Sequence, residues 1–285
     1  MNISKGILFV VATPIGNADD ISLRAKKVLE NVKLIAAEDT RRTGNLLKHL
    51  GISNQLLSCH EHNESKRIPT LLGILGEGGD IALVSDAGTP VINDPGYKLV
   101  CEVIEAGYQV IPIPGCSAAI AAVSVAGLPT DKLFFLGFLP NVSKKRLDKL
   151  SEFKKSSATL IIYEAPHRIL ATLKDVEAIF GPDRLMMAAR EITKLYESYY
   201  RGTVREVRDQ IVADTGGKKG EFTLVVGGVK SVEVDYANID QALSVLLRYL
   251  GVRQASEVTA ELLGIKKNLA YKRALEIRES SDETY

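Results

Sequence analysis

Short apolar runs alternate with segments of helical periodicity through the first part of the chain. The runs end at Gly or Pro, a pattern typical of strands buried on both faces of a sheet. We predict strands at residues 7–12, 34–37, 81–84 and 110–113. We predict helices at residues 21–31, 43–50, 68–75, 95–106 and 118–126. Strands that alternate with helices predict βαβ units and a parallel sheet.

The pattern restarts after Pro129 and changes again near Ile239. A second α/β region with a mixed sheet is predicted, with strands at residues 133–136, 159–163, 185–189 and 222–227. Its helices are expected at residues 143–155, from 168 to about 180, and 204–214. The tail predicts three helices, at residues 239–250, 255–263 and 268–279, with a helix-turn-helix-like bend at Gly264. The expected domains are residues 1–127, 128–234 and 235–285.

Three glycine turns follow predicted strands, at residues 13–17, 85–90 and 114–119. Right-handed crossovers bring the carboxyl ends of parallel strands to one edge, where open α/β sheets bind ligands. None of the turns has the glycine spacing of a dinucleotide site or of a P-loop, so NAD and ATP are disfavoured. Asp86 in the second turn would repel a phosphate and suits a ligand with hydroxyls or positive charge.

Composition narrows the class of protein further. Of the 285 residues, 46% are hydrophobic and 25% are charged, which is typical of a globular protein. The net charge is only +1, so the chain as a whole has no general affinity for polyanions. Its three cysteines form no CxxC pair, so the sequence indicates neither a disulfide framework nor a zinc site, and a reducing, cytoplasmic setting fits best. The first apolar run is too short for a secretory signal, and we expect no membrane span.

Polar clusters follow several of the predicted strands. Glu38 to Arg42 can form a polar wall over the ligand edge, with Arg41 and Arg42 holding phosphate, or a capped helix start. His60 to Glu64 is interpreted as a polar loop on the substrate side rather than as a metal site, because no third ligand cluster accompanies it. Residues 164–168 and 190–194 end strands of the second region and indicate either a cleft or interdomain salt bridges.

Basic character is local. One run lies in the helix predicted at residues 143–155 and another in the tail. The candidate RNA-binding residues are Arg41, Arg42, Lys144, Lys145, Arg146, Lys266, Lys267, Lys272 and Arg273. A solvated helix face is the usual meaning of such runs. Two of them, one beside a helix-turn-helix-like bend, favour a nucleic-acid surface.

Taken together, six segments resemble one known family. They are residues 11–17, 36–41, 84–94, 137–140, 163–168 and 189–194, and the likeness extends from about residue 7 to the C-terminus. The chain resembles the ribosomal RNA small subunit methyltransferase I family, the 16S rRNA (cytidine-2′-O)-methyltransferases with the tetrapyrrole-methylase fold. The resemblance implies S-adenosylmethionine bound between two α/β domains, a C-terminal helical domain, a homodimer, and 16S rRNA of the small subunit as substrate.

The resemblance also implies site residues. The cofactor-binding set would be Pro14, Asp86, Gly88, Thr89, Ser117 and Ala118 from the first domain, with Phe138, Tyr163, Glu164, Arg190 and Thr223 from the second. Cys116 stands where the family has proline and would serve packing rather than nucleophilic attack.

The implied reaction is displacement at the cofactor's methyl carbon by a ribose 2′-oxygen. Glu38 and Lys194 are the candidate general bases. Two alternative functions remain: a tetrapyrrole methylase of the same fold, and a ribosome-binding factor without catalysis.

Overall fold

The computed structural model describes residues 5–229 and 236–282, which belong to two compact units that divide after Val229. The first unit begins with a five-stranded sheet of order β3-β2-β4-β1-β5. Its strands are β1 (Ile7–Val11), β2 (Leu34–Ala37), β3 (Leu56–Ser58), β4 (Ile81–Val84) and β5 (Gln109–Ile113). All paired neighbours are parallel, so the predicted parallel sheet is confirmed. The short strand β3 was not predicted.

Helices cover both faces of this sheet. They are α1 (Leu23–Asn31), α2 (Thr40–Leu50), α3 (Glu64–Gly76) and α4 (Tyr97–Glu105). Side chains of β4 alternate between the two cores: Ile81 and Leu83 pack in one, Ala82 and Val84 in the other. Burial on both sides is the reason that this strand appears as a continuous apolar run. Asp39 caps α2 by accepting from the backbone N–H of Arg41 at 2.9 Å.

A second five-stranded sheet follows, with the order β6-β7-β10-β8-β9. Its strands are β6 (Leu133–Phe138), β7 (Thr159–Glu164), β8 (Leu185–Arg190), β9 (Ser198–Thr203) and β10 (Phe222–Val226). β6 and β7 are parallel and the remaining pairs are antiparallel, which confirms the predicted mixed sheet. Helices α6 (Ser143–Ser151), α7 (Ile169–Phe180) and α8 (Val204–Ala213) supply the core on one face.

Helix α5 (Ala118–Ala126) covers the other face of the second sheet. Its Ala122 and Val123 pack with Ile161 and Met187, although the helix follows directly on β5 of the first sheet. The chain therefore passes from one sheet to the other at the third glycine turn. The boundary predicted at residue 127 stays a prediction, because both sheets belong to one compact unit.

The second unit is helical in its described residues. It contains α9 (Tyr236–Leu246), α10 (Val252–Leu263) and α11 (Lys267–Asp282), as the sequence predicted. Ile239, Leu243, Ala255 and Ala274 form its buried centre. Gly264 ends α10 in the left-handed conformation, with φ of 63°. The boundary predicted at residue 234 lies outside the described residues.

Across residues 5–229 and 236–282, none of the helices combines the length and the apolar character that crossing a bilayer requires.

Candidate functional site

The three glycine turns meet at one edge of the first sheet, because β1 lies between β4 and β5. The first two turns are joined by paired backbone hydrogen bonds: Thr13 N–H donates to Gly88 O at 2.8 Å, and Gly88 N–H donates to Thr13 O at 3.0 Å. The Thr89 hydroxyl donates to Cys116 O at 3.1 Å and ties the second turn to the third. Gly88 has φ of 85°, a conformation that L side chains rarely adopt. The turns therefore form one connected floor.

A cavity of about 330 Å³ lies over this floor, between the turns and the second sheet. Its apolar walls include Ile15, Ile92, Phe138, Ile192 and Phe222. Among the predicted cofactor-binding residues, those that line it are Gly88, Thr89, Ser117, Ala118, Phe138, Tyr163, Glu164 and Thr223. Their roles stay predictions, but the structure brings these residues from both sheets to one cavity.

Two loops beside the cavity hold strained backbone. Val91 and Asn93 have φ of 75° and 64°, and Glu191 and Thr193 have φ of 51° and 65°. Such conformations cost about 1–3 kcal/mol each and persist where the surrounding structure enforces them. The Asn93 side chain lies so close to Gly137 of β6 that a Cβ on Gly137 would come within 2.4 Å of Asn93 Nδ2. Glycine at position 137 therefore lets β6 pack directly against the Asn93 side chain.

The remaining predicted cofactor-binding residues lie outside the lining. Pro14 directly precedes the lining residue Ile15. The Asp86 carboxylate accepts from the Asp39 N–H at 3.1 Å and forms an ion pair with Arg42 at 3.3 Å. Through these two contacts Asp86 fixes the second turn to the start of α2.

Arg190 also points away from the cavity. Its Nε donates to Lys219 O at 2.7 Å, and its Nη1 lies 3.4 Å from the Tyr200 hydroxyl and 3.5 Å from an Asp214 carboxylate oxygen. The side chain is buried. Its observed role is to anchor the loop before β10.

The candidate base Lys194 lines the cavity but is held as a cation. Its Nζ donates to Glu191 Oε1 and to Glu221 Oε2, each at 2.9 Å. Burial is the largest single influence and lowers the pKa of Lys194, but the hydrogen bonds to Glu191 and Glu221 and the charges of these two carboxylates together raise the pKa above its ordinary value. An ammonium group cannot accept a proton, so these contacts count against Lys194 as general base, a role that stays a prediction.

Asp94 is a site residue that the sequence reasoning did not single out. It lines the cavity, and burial raises the pKa of its carboxyl to about 6; the Ser85 hydroxyl opposes this shift, and the charges of Glu38 and Asp86 add to it. The available signal was its position, a few residues after the second glycine turn. No cation neutralises this carboxylate within the described residues.

The lining fits the cofactor that the resemblance implies. Carboxylates line it at Asp94, Glu164, Glu191 and Glu221, and Lys194 is the lone basic residue of the described lining. Glu164 is neutralised by Arg168 at 3.2 Å. An apolar cavity with residual negative charge suits a ligand that carries a positive charge and no phosphate, as S-adenosylmethionine does.

A second cavity, of about 580 Å³, adjoins the first, and Asn93 and Asp94 line both. The other candidate base, Glu38, lines this second cavity and not the first. The carboxylate of Glu38 accepts from the Asp86 N–H at 3.1 Å. The polar loop that begins at His60 also lines it, and no group of metal-ligating side chains occurs in the parts of the chain that the structure describes.

The predicted RNA-binding residues divide into exposed and engaged side chains. Arg146 corrects the prediction: it is 3% exposed and bound to Asp175 at 2.6 Å, so it cannot meet a phosphate. Lys267 pairs with Glu257, and Arg273 pairs with Asp240 at 2.6 Å. The side chains of Arg41 and Arg42 are 87% and 69% exposed, although each has an acidic partner. Of the predicted RNA-binding residues, those that are exposed and have no ion pair in the described chain are Lys144, Lys145, Lys266 and Lys272.

Comparison with known proteins places these features in a family. A family model of the tetrapyrrole (corrin/porphyrin) methylases matches residues 8–208, and one of the RsmI C-terminal HTH domain matches residues 233–278. The chain is 48% identical to ribosomal RNA small subunit methyltransferase I of Escherichia coli O157:H7, over 96% of each chain. It is 44% identical to the Pseudomonas aeruginosa protein of that name, over 96% of this chain and 98% of the relative.

Solved structures share the fold at lower identity. A cobalt precorrin-4 methyltransferase, CbiF, matches with a TM-score of 0.59 at 18% identity, over 78% of this chain and 94% of its own. A uroporphyrin-III C-methyltransferase from Thermus thermophilus, complexed with S-adenosylhomocysteine, matches with a TM-score of 0.53 at 15% identity, over 79% and 98%.

Proposed function

The chain belongs to the ribosomal RNA small subunit methyltransferase I family, and we propose that it methylates the 2′-hydroxyl of a cytidine in 16S rRNA. It is a methyltransferase that uses S-adenosylmethionine. The observation that carries the proposal is the acidic, largely apolar cavity over three linked glycine turns, in a chain whose relatives align over nearly its full length. The two solved tetrapyrrole methylases described above share the fold at 15–18% identity.

When bound, S-adenosylmethionine supplies an electrophilic methyl group. We propose that Ser117 and Ala118 at the start of α5, with Gly88 and Thr89 opposite, hold the ligand's polar groups through backbone and hydroxyl contacts. The Tyr163 hydroxyl accepts from the Ala119 N–H at 3.2 Å and fixes the start of α5 against the second sheet. In this proposal the cavity walls from both sheets hold the reacting atoms in alignment.

Removal of the proton from the ribose hydroxyl falls to a carboxylate in this proposal. Lys194 is charged. Glu38 lines the neighbouring cavity, and one oxygen of its carboxylate accepts a hydrogen bond from the Asp86 N–H. Its carboxylate makes no other hydrogen bond within the described residues. Glu38 thus remains the candidate general base of the two predicted residues.

The ribosomal context and the oligomeric state extend the proposal. We propose that the helical unit after Val229 contacts rRNA within the small subunit, through exposed cations such as Lys266 and Lys272. We also propose a homodimer, because the edge strand β6 exposes the apolar side chains of Leu133, Phe134 and Phe135, which do not line the cofactor cavity. A ribosomal substrate implies a cytoplasmic site of action.

The test uses small subunits from cells that lack this protein. The purified protein and S-adenosylmethionine should add one methyl group to 16S rRNA, and mass spectrometry of nucleosides should find it on the ribose of a cytidine. A methyl group on a base would contradict the 2′-O assignment. Methylation of a tetrapyrrole but not of the subunit would support the other activity of this fold. Subunit binding without methyl transfer would indicate a non-catalytic factor.

A further inference from the structure

We propose that the second cavity receives the target nucleoside, turned out of its RNA strand, with its ribose toward Asn93 and Asp94 and its base against Tyr97 and His62. This inference rests on the proposed function and adds the place where the substrate binds. Its lining also includes Glu38, His60, Glu61, Glu64 and Lys98.

The position of the cavity is the first argument. Asn93 and Asp94 line both cavities, so the two cavities adjoin at these two residues. Asn93 is held with φ of 64°, and Gly137 leaves space for its side chain. The shared wall is therefore a defined surface. A ribose hydroxyl placed beside Asn93 and Asp94 would reach the edge of the cofactor cavity, where we place the methyl group that it attacks in line with the departing sulfur.

The rings of the second cavity are the next argument. The Tyr97 side chain is 68% exposed at the start of α4, and no other aromatic ring in the described chain stacks on it. His62 is also exposed, and its ring meets His60 edge-on, with centroids 6.0 Å apart and planes at 72°. Exposed rings beside a cavity are costly to leave in water and are the usual platform for an unstacked RNA base.

The charge of the lining selects a nucleoside rather than a phosphate. Its carboxylates are Glu38, Glu61, Glu64 and Asp94, against the single ammonium of Lys98 among the described lining residues. Glu64 is 4% exposed and accepts from the Leu99 N–H at 2.8 Å, so it is structural. The other acidic groups repel phosphates. The strand's phosphates then remain outside, where Lys98 is exposed.

The test measures kcat/KM for small subunits in Tyr97→Ala and His62→Ala, together with the dissociation constant of S-adenosylmethionine. Base stacking contributes about 1–3 kcal/mol, so we expect each variant to lose roughly 5- to 150-fold in kcat/KM. Cofactor affinity should stay within twofold, about 0.4 kcal/mol, of the wild type. Tyr97→Phe keeps the ring and should keep activity. His49→Ala, an exposed histidine of α2 away from both cavities, is the matched control.

Each outcome decides the inference. Retention of activity by Tyr97→Ala or by His62→Ala, at the level of His49→Ala, would overturn it. Equal losses of cofactor affinity and activity would also overturn it, because the residue would then belong to the cofactor cavity. A loss of activity in Tyr97→Phe equal to that in Tyr97→Ala would overturn it as well, because the hydroxyl and not the ring would then carry the effect. Failure of the wild-type protein to methylate small subunits would refute the proposed function instead.

Discussion

Replacing Asp94 by asparagine removes the one lining carboxylate that has no cationic partner in the described chain. Asp94 faces the cavity, and its neighbours Glu38 and Asp86 are acidic, so no protein cation competes for it. A charge-assisted hydrogen bond to a cationic ligand contributes about 1.5–3 kcal/mol. We therefore expect Asp94→Asn to weaken binding of S-adenosylmethionine roughly 10- to 150-fold.

The same interaction makes cofactor binding depend on pH. Burial, together with the charges of Glu38 and Asp86, raises the pKa of Asp94 to about 6. A ligand cation favours the ionised form and should lower that pKa by about 1–2 units, since one unit corresponds to about 1.4 kcal/mol. Affinity is then highest above pH 6 and falls as the pH decreases through it, by about five- to tenfold between pH 7.5 and pH 5.

Isothermal titration calorimetry at several pH values measures both effects. Asp94→Asn should bind weakly and without this pH dependence, whereas Asp131→Asn, an exposed control, should behave as the wild type. The ionised Asp94 is disfavoured in the folded state, so its replacement should not lower the melting temperature at neutral pH. Wild-type affinity in Asp94→Asn, or an unchanged pH dependence, would refute this reasoning.

Three further substitutions test other parts of the molecule. Asp175→Ala leaves the buried guanidinium of Arg146 unpaired and should cost about 3–5 kcal/mol in urea unfolding; a loss below 1 kcal/mol would mean that the pair is solvated. Gly88→Ala places a side chain at φ of 85° and should destabilise the protein by about 1–2 kcal/mol and weaken cofactor binding, both seen by calorimetry. Lys266→Gln with Lys272→Gln should reduce the salt slope of subunit binding by about 1.4–1.8 and leave cofactor affinity intact; an unchanged slope would exclude these two contacts.

The parts of the fold with a strong periodic signal were predictable. The strands β1 and β4 are apolar runs buried by helices on both faces, and the turn after β4 carries Gly88 where φ is 85°. β9 was missed because it lies at a sheet edge and mixes tyrosines with polar residues, so neither alternation nor a continuous apolar run marks it.

The candidate site was predictable only in outline. The glycine turns indicated the edge of the sheet, but side-chain direction depends on packing that the pattern does not contain. Arg146 belongs to a basic run, but its side chain is buried because it forms an ion pair with the buried Asp175 of α7. The sequence pattern also does not show that Glu191 and Glu221, which lie in two different loops, both accept hydrogen bonds from Lys194.

The passage of the chain through α5 has a mechanical consequence. Helix α5 begins in the third glycine turn of the first sheet, but its alanines pack against the second sheet. The width of the cofactor cavity therefore depends on the distance between α5 and the second sheet. Ala122 is fully buried between the helix and the sheet. A larger side chain at this position would push α5 away from the sheet and so move Ser117 and Ala118 away from Tyr163. A helix of small residues thus sets the spacing of a cavity that it touches only with its first turn.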